Sequence, residues 1–193
     1  MRASLSIAFR YTLVTTVLLG LVYPLVVTGI AQLTMRNKAD GQLIIRNGEV
    51  IGSAIIGQGF SSPQYFHGRP SAAGNGYDAA NSGGSNLAES NSALLDRVNA
   101  AVATYQKQNP GQPVPIDLVT TSASGIDPDI SPAAALYQVH TVALARHLPE
   151  DMIRSLVKKD TQGRTFGLLG EPRVNVLRLN LDLDSLGSGQ SKE

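Results

Sequence analysis

The sequence predicts an α+β protein with one N-terminal transmembrane helix followed by a single soluble α+β domain. Three observations lead to this prediction. A run of 25 residues, 11–35, contains no charged residue. Beyond it, segments with helical spacing of apolar residues occur together with segments of strand-like alternation. The remaining chain is long enough for one compact domain. The expected division is an N-terminal flank at 1–10, the helix at 11–35, the soluble domain at 36–186 and a flexible tail at 187–193.

The composition excludes several classes of protein. The chain has 16 basic and 15 acidic residues, and two of the basic ones, Arg2 and Arg10, precede the apolar run. The rest of the chain is therefore nearly neutral and lacks the basic surface of a nucleic-acid-binding protein. The absence of cysteine excludes disulfides, thiol chemistry and thiolate metal sites, and it fits any cellular compartment.

The apolar run is long enough to cross a membrane. As a helix, 25 residues span roughly 37 Å, more than the hydrocarbon core of a bilayer. Pro24 is tolerated in a membrane helix and predicts a kink. A cleaved signal peptide is the alternative, because Gly29-Ile30-Ala31 resembles a cleavage site, but a signal peptide usually has a shorter apolar region. A retained membrane anchor is therefore favoured.

The charges beside the anchor give a weak indication of its orientation. Arg2 and Arg10 lie on one side, and Arg36 and Lys38 lie on the other. The excess of positive charge on cytoplasmic sides slightly favours an internal N-terminus and an external domain.

The first part of the soluble domain is predicted to be a hairpin followed by a long ordered loop. In residues 42–56, two β-rich runs flank Asn47-Gly48, the residue pair preferred in a type I′ turn. Residues 57–86 are rich in glycine, serine, asparagine and proline but also contain four aromatic residues. Such aromatics are uncommon in disordered linkers, so this loop is expected to be ordered.

Three helices are expected next. Asn86 and Glu89 have the spacing of a capping box, which predicts a helix that ends before Pro110-Gly111. Ser131-Pro132 is typical of a helix start, with serine as the cap and proline in the first turn. Pro149 begins a further helix, whose acidic first turn and basic last turn suit the helix dipole.

A strand is predicted at 174–183 near the C-terminus. Four leucines alternate there with polar residues, which places the leucines on one face of a strand. Val174 and Val176 are out of phase with that face and suggest a bulge or twist.

The sequence shows no catalytic constellation. Asp127-Pro128-Asp129 could begin a hard-metal loop, but the further carboxylates and the glycine of a calcium loop are missing, so turn carboxylates are the favoured interpretation. There is no Gly-x-Ser-x-Gly motif to hold a serine nucleophile. The histidines, His67, His140 and His147, are interpreted as packing or surface residues, and no metal or catalytic site is expected.

A phosphate could in principle bind beside the predicted helix start at Asn86. Ser82–Asn86 would then supply free N–H groups, but no Walker-type lysine accompanies them. Turn-forming glycines with Asn86 as a helix cap are the favoured interpretation.

One membrane span is followed by five sequence blocks in order: "GSAIIGQGF", "YFHGRPSAA", "NSGGSNLAESN", "DLVTTSASGIDPDISPAAA" and "GEPRVNVLRLNLDLD". In these blocks the chain resembles, over almost its whole length, the C subunit of the bacterial Kdp high-affinity potassium-transporting P-type ATPase. There are two departures. Members often carry histidine where Asp129 stands and usually carry arginine where Thr141 stands, next to His140.

The resemblance implies a non-catalytic subunit in the bacterial inner membrane, with its soluble domain outside the cytoplasm. Its implied partners are a channel-like A subunit that carries potassium and a B subunit that hydrolyses ATP. The family's C subunit stabilises the complex and is described as a chaperone that raises the ATP affinity of B. Gln138 matches the family's proposed nucleotide contact, and ATP shared with B is the only cofactor implied.

With this resemblance, the polar stretch 117–135 is predicted to be an ordered docking surface. Its hydroxyl groups offer hydrogen bonds, and its prolines lower the ordering cost of binding. The predicted docking residues are Thr120, Thr121, Ser122, Ser124, Asp127, Pro128, Ser131 and Pro132. Two other functions remain open at this point: a stand-alone anchored enzyme, and an anchored extracytoplasmic module that binds a small ligand.

Overall fold

A computed structural model describes residues 2–189. The chain divides into two compact units between Ile51 and Gly52. Helices and two small sheets make up the described chain, which confirms the predicted α+β class. The predicted start of the soluble domain at residue 36 stays a prediction. Of the predicted tail, 187–189 continue the last helix, and 190–193 lie outside the described residues.

The first unit contains one long apolar helix. It runs from Arg2 to Thr34 without a buried residue and is long and apolar enough to cross a membrane. It consists of α1 (Arg2–Val17), a π turn (Leu18–Val22) and α2 (Tyr23–Thr34). Pro24 lacks the N–H that would bond to the preceding turn, and the π turn ends two residues before it, at Val22. The short helix α3 (Arg36–Ala39) follows.

The predicted hairpin is present. Strands β1 (Leu43–Arg46) and β2 (Glu49–Ser53) are joined by Asn47 and Gly48, whose φ angles are 54° and 83°. Two positive φ angles are what a type I′ turn requires, so the turn prediction is confirmed.

The helix predicted after Asn86 begins later than expected. Helix α4 spans Ser92–Gln108, and the Oδ1 atom of Asn91 accepts a hydrogen bond from Ala93 N at 2.9 Å. Asn86 has a φ of 50° and is not a cap, so the capping-box prediction for Asn86 and Glu89 is wrong. A left-handed residue breaks the helical path, which leaves Asn91 as the first competent cap.

The next two helices begin where they were predicted. Helix α5 (Pro132–Arg146) is capped by Ser131, whose Oγ atom accepts a hydrogen bond from Ala134 N at 3.2 Å. Helix α6 (Glu150–Asp160) starts after Pro149, with acidic residues in its first turn and basic residues in its last.

The predicted strand 174–183 is wrong after its second residue. Strand β5 (Arg173–Asn175) is short and lies between β3 (Asp129–Ile130) and β4 (Thr161–Gln162) in an antiparallel sheet. Helix α7 (Val176–Gly189) follows directly. Asn175 begins it, because its Oδ1 atom accepts a hydrogen bond from Arg178 N at 3.1 Å.

The core of the second unit lies between α5, α6, α7 and the three-stranded sheet. Buried apolar residues from these elements pack around Phe66, which is fully buried although it belongs to the loop region 57–86. The largest buried members are Phe66, Leu118, Val139, Val142, Ile153, Val157, Val174, Leu179 and Leu183. Phe66, Leu118 and Ile130 connect this core to the loop segments 57–86 and 117–132.

Candidate functional site

Residues 117–132, here named the docking loop, form an ordered segment that leads into α5. Its two ends are joined, because Asp117 Oδ2 accepts a hydrogen bond from Ser131 N at 2.8 Å. Within the loop, Asp127 Oδ1 accepts a hydrogen bond from Asp129 N at 3.1 Å, which is an Asx turn. A loop with joined ends and internal hydrogen bonds keeps one conformation.

Arg69 holds the outer part of the docking loop. Its guanidinium donates hydrogen bonds to the carbonyl of Thr121 at 3.2 Å and to the hydroxyl of Thr120 at 3.3 Å. The same group lies 3.5 Å from the carboxylate of Asp127. Because guanidinium presents several donors in a fixed plane, one side chain can hold three points of the loop together.

Three successive carbonyls of the docking loop are held by the loop region 57–86. The carbonyl of Ser124 accepts from Gly83 N at 2.9 Å, and that of Ile126 accepts from Gly57 N at 2.8 Å. Between them, the carbonyl of Gly125 accepts from the hydroxyl of Ser71 at 2.6 Å. The expectation that 57–86 is ordered is therefore confirmed.

The Ser82–Asn86 segment supports the docking loop and does not begin a helix. Gly83 N points to Ser124 of the docking loop, and Ser82 Oγ donates to the same carbonyl at 2.9 Å. The phosphate interpretation required a helix N-terminus beside Asn86, and α4 begins at Ser92 instead. Two donors of the segment, Gly83 N and Ser82 Oγ, are thus used within the protein.

Tyr77 fixes the backbone of Arg69 by a hydrogen bond. Its hydroxyl donates a hydrogen bond to the carbonyl of Arg69 at 2.6 Å, and its N–H donates to Ser71 Oγ at 2.7 Å. Burial, with a smaller contribution from Asp127, raises the pKa of the Tyr77 hydroxyl from 10.0 to about 12. The hydroxyl therefore keeps its proton, and with it this hydrogen bond, throughout the neutral pH range.

A polar cleft of about 330 Å³ opens beside the docking loop. Arg173 pairs with Asp129 there at 3.0 Å. Burial raises the pKa of the Asp129 carboxyl, although hydrogen bonding from Asn175 and the charge of Arg173 act in the opposite direction. Among residues 2–189, no group of three histidines or carboxylates could hold a metal ion. The charged residues that line the cleft are Arg69, Asp117, Asp127, Asp129, Glu171 and Arg173.

The predicted docking residues lie on this loop, but most of their polar atoms are used internally. Ser122 is buried, and Ser124 Oγ accepts a hydrogen bond from Ile126 N at 3.2 Å. The carbonyl of Pro128 accepts from Val176 N at 3.0 Å. Among the eight predicted residues, Thr120, Thr121 and Asp127 lie together around Arg69. Whether any of them binds a partner stays a prediction.

Gln138 lies in the core and not on an open surface. Its Oε1 atom accepts a hydrogen bond from His67 N at 2.8 Å, and its Nε2 atom donates to His67 O at 3.0 Å. The side chain is 6% exposed. The amide of Gln138 thus satisfies both the N–H and the carbonyl of His67, as the backbone of a neighbouring strand would.

Asn180 of α7 makes the same arrangement with the preceding residue. Its Oδ1 atom accepts from Phe66 N at 2.8 Å, and its Nδ2 atom donates to Phe66 O at 3.0 Å. Gln138 and Asn180 therefore hold two successive residues of the loop region from two different helices. Sequence reasoning missed Asn180, because the predicted strand placed it on a polar face.

The histidines take packing and surface positions. His67 Nε2 lies 3.1 Å from the carbonyl of Ser62. His140 Nδ1 lies 2.6 Å from Glu150 on the exposed side of α5. His147 ends α5 with a left-handed φ of 56°. Thr141 is half-buried beside His140 in a shallow apolar groove.

Comparison with known proteins gives a consistent result. The family model described as "K+-transporting ATPase, c chain" matches residues 5–185. A "Potassium-transporting ATPase KdpC subunit" of Koribacter versatilis is 57% identical over 95% of both chains. Proteins of the same description from Acidobacterium capsulatum and Methylobacterium nodulans are 58% and 55% identical, over 93% and 89% of this chain and 96% and 91% of theirs.

Proposed function

The chain belongs to the family of K+-transporting ATPase c chains, and from this membership we propose that it is the accessory, non-catalytic subunit of an ATP-driven, high-affinity potassium import complex. As a subunit of a potassium-transporting ATPase, it works within a complex. The proposed partners are a channel-like A subunit that carries potassium and a B subunit that hydrolyses ATP. The proposed role is to stabilise their assembly.

The rigid docking loop is the observation that supports this role. Arg69 and the loop region 57–86 hold the docking loop from two sides, and Asp117 joins its ends. A surface that is already ordered loses little conformational entropy when a partner binds. Thr120, Thr121 and Asp127 surround Arg69 there, and we propose that this part of the loop contacts a partner subunit.

We propose that the chain raises the ATP affinity of the B subunit indirectly, through the assembled complex. Gln138, the residue implied by family resemblance for nucleotide contact, has both ends of its amide bonded to His67. A nucleotide that bound this amide would have to displace hydrogen bonds in a buried position, which is costly. ATP is therefore proposed as a ligand of the B subunit only.

Loss of the docking loop's conformation is expected to release the chain from the complex. Replacing Asp127–Ser131 by a Gly-Ser linker of equal length removes the Asx turn and the helix cap. A milder variant, Arg69→Met, keeps the aliphatic stem and removes the guanidinium. Both variants are expected to reduce copurification with the other subunits and potassium-dependent ATPase activity. Affinity purification of the tagged complex, followed by an ATPase assay, measures both effects.

The exposed turn after α4 provides the control. A Gly-Ser replacement of residues 110–113, which are exposed and end before the docking loop begins at residue 117, should leave copurification unchanged. If the linker variant stays bound to a fully active complex, the docking loop is not a contact surface. Deleting the whole chain tests the role itself, because an intact and active complex without it would contradict the proposal.

We further propose that the helix at Arg2–Thr34 crosses the bacterial inner membrane once, with the second unit outside the cytoplasm. The chain has no native cysteine, so single cysteines can be labelled without background. Ala88→Cys, at an exposed loop position, should react with a membrane-impermeant maleimide in intact cells. Ala3→Cys, at the N-terminal end of the helix, should react only after the membrane is permeabilised. The reverse pattern would place the second unit in the cytoplasm.

A further inference from the structure

The turn between β4 and β5 exposes three large apolar side chains. Phe166 is 91% exposed, Leu168 81% and Leu169 64%. The turn is closed by two backbone hydrogen bonds, from Thr165 N to Leu169 O at 2.8 Å and from Leu169 N to Thr165 O at 2.9 Å. We name these three side chains the apolar tip. Because the turn is closed by these hydrogen bonds, the exposed positions of the three side chains are set by an ordered backbone.

The backbone of the apolar tip is held in an unfavourable conformation. Phe166 has a φ of 55°, a left-handed value that is uncommon for a bulky residue. Such conformations cost free energy and persist where the surroundings enforce them, often at functional positions. Here the two hydrogen bonds between Thr165 and Leu169 enforce it, and the phenyl ring stands in solvent.

Arg164 and Arg173, which flank the apolar tip, are each paired with a carboxylate of the chain. Arg164 Nη2 lies 2.8 Å and 2.7 Å from the two carboxylate oxygens of Glu171, at the base of the turn. Arg173 pairs with Asp129 at 3.0 Å. Binding to an anionic lipid surface relies on cations that are free to reach the headgroups. A neutral, apolar tip instead complements an uncharged apolar pocket of a protein.

The size of the apolar tip indicates an anchor and not a complete interface. Three side chains of this type expose on the order of 400 Å². A stable protein–protein contact buries about 800 Å² on each partner, so two copies of the chain could not be held by this tip alone. Within an existing complex, a small apolar anchor can still contribute much of the binding energy.

We infer that the apolar tip of Phe166, Leu168 and Leu169 inserts into an uncharged apolar pocket on a membrane-embedded partner subunit of the potassium-transporting complex. The inference rests on the proposed function, since it requires that the chain binds the other subunits. It adds a second contact, separate from the docking loop, and specifies its chemistry.

Copurification of a tip variant tests the inference in the full complex. The variant combines Phe166→Asn, Leu168→Ser and Leu169→Ser. Asparagine tolerates the left-handed backbone at position 166 better than other residues do. The control combines Leu95→Gln and Leu144→Gln, which are 52% and 63% exposed on α4 and α5. The tip variant should lower the amount of chain bound to the other subunits by about tenfold or more, and the control should leave it unchanged.

Photo-crosslinking identifies the occupant and is independent of variant stability. Phe166→Cys, labelled with a benzophenone maleimide in a complex whose other subunits have no reactive cysteine, should crosslink to a membrane-embedded subunit. Crosslinks only to lipid, only to a second copy of this chain or to nothing would overturn the inference. So would unchanged copurification of the tip variant.

The two proposals can fail separately. If deleting the whole chain leaves the complex assembled and active, the proposed function fails. If deletion disrupts the complex while the tip variant behaves like the control, the inference about the apolar tip fails alone.

Discussion

Replacing Asn180 by leucine is expected to lower the free energy of unfolding by about 2–5 kcal/mol, because two buried backbone groups lose their partners. Asn180 is 2% exposed, and its amide satisfies both the N–H and the carbonyl of Phe66, which is itself fully buried. Leucine has nearly the same shape but can neither accept nor donate a hydrogen bond. Because Phe66 is fully buried, water cannot replace the lost hydrogen bonds. The cost of leaving its N–H and carbonyl unpaired therefore lowers the stability in full.

Urea unfolding of the detergent-solubilised chain, followed by near-ultraviolet circular dichroism, measures this effect. Gln138→Leu is the parallel variant, with a smaller expected loss of about 1–3 kcal/mol because His67 is only half-buried. Asn99→Leu, on the exposed face of α4, is the control and should change stability by less than about 0.5 kcal/mol. Equal losses for Asn180→Leu and Asn99→Leu would show that the amide pairing contributes nothing.

Features with strong local signals were predictable from the sequence. The Asn47-Gly48 turn follows from the ease with which these two residues adopt positive φ angles. The start of α5 follows from the Ser131 hydroxyl and the fixed φ of Pro132. In both cases the energy that decides the structure comes from one or two adjacent residues, so the surrounding fold does not need to be known.

The C-terminal helix was not predicted because its sequence satisfies two patterns. Leucines at alternate positions suggest a strand, but Val176, Leu179 and Leu183 also recur at helical spacing and are buried in the core. Leucine itself favours helices. Asn175 was the overlooked signal, since an asparagine before such a run is a typical helix cap.

The order of the docking loop was predictable from the sequence, but the contacts that hold it were not. The prolines of the docking loop indicated an ordered segment, which the structure contains. The side chain that holds it, Arg69, lies about fifty residues earlier in the chain, and Tyr77 supports Arg69 from another turn. Contacts between such distant segments depend on the completed fold. No local sequence pattern could reveal these contacts. Nor could one reveal that the amide of Gln138 would be hydrogen-bonded to the backbone of His67.

Replacing Gly125 by alanine is expected to detach the docking loop from its support. Gly125 has a φ of 67°, which costs alanine about 1–2 kcal/mol. An added Cβ atom would also lie 2.5 Å from Gly83 O and 2.7 Å from Ala73 N. Both are backbone atoms of the loop region 57–86, so the neighbours cannot yield by a simple side-chain rotation. A total loss of roughly 2–5 kcal/mol is expected, since overpacking adds about 1–3 kcal/mol to the strain.

Gly111→Ala separates the two causes of this loss. Gly111 has a φ of 80°, and no atom lies within 4 Å of an added Cβ. Its variant should therefore suffer the backbone strain alone, about 1–2 kcal/mol. Hydrogen exchange read by mass spectrometry should show faster exchange in residues 117–131 for Gly125→Ala but not for Gly111→Ala. The contrary result would be an equal loss of stability in both variants, with slow exchange of the docking loop in both. Close packing of Gly125 against residues 73 and 83 would then not be the cause of the loop's order. The loop's rigidity would then have to come from Arg69 and the Asp117–Ser131 closure alone.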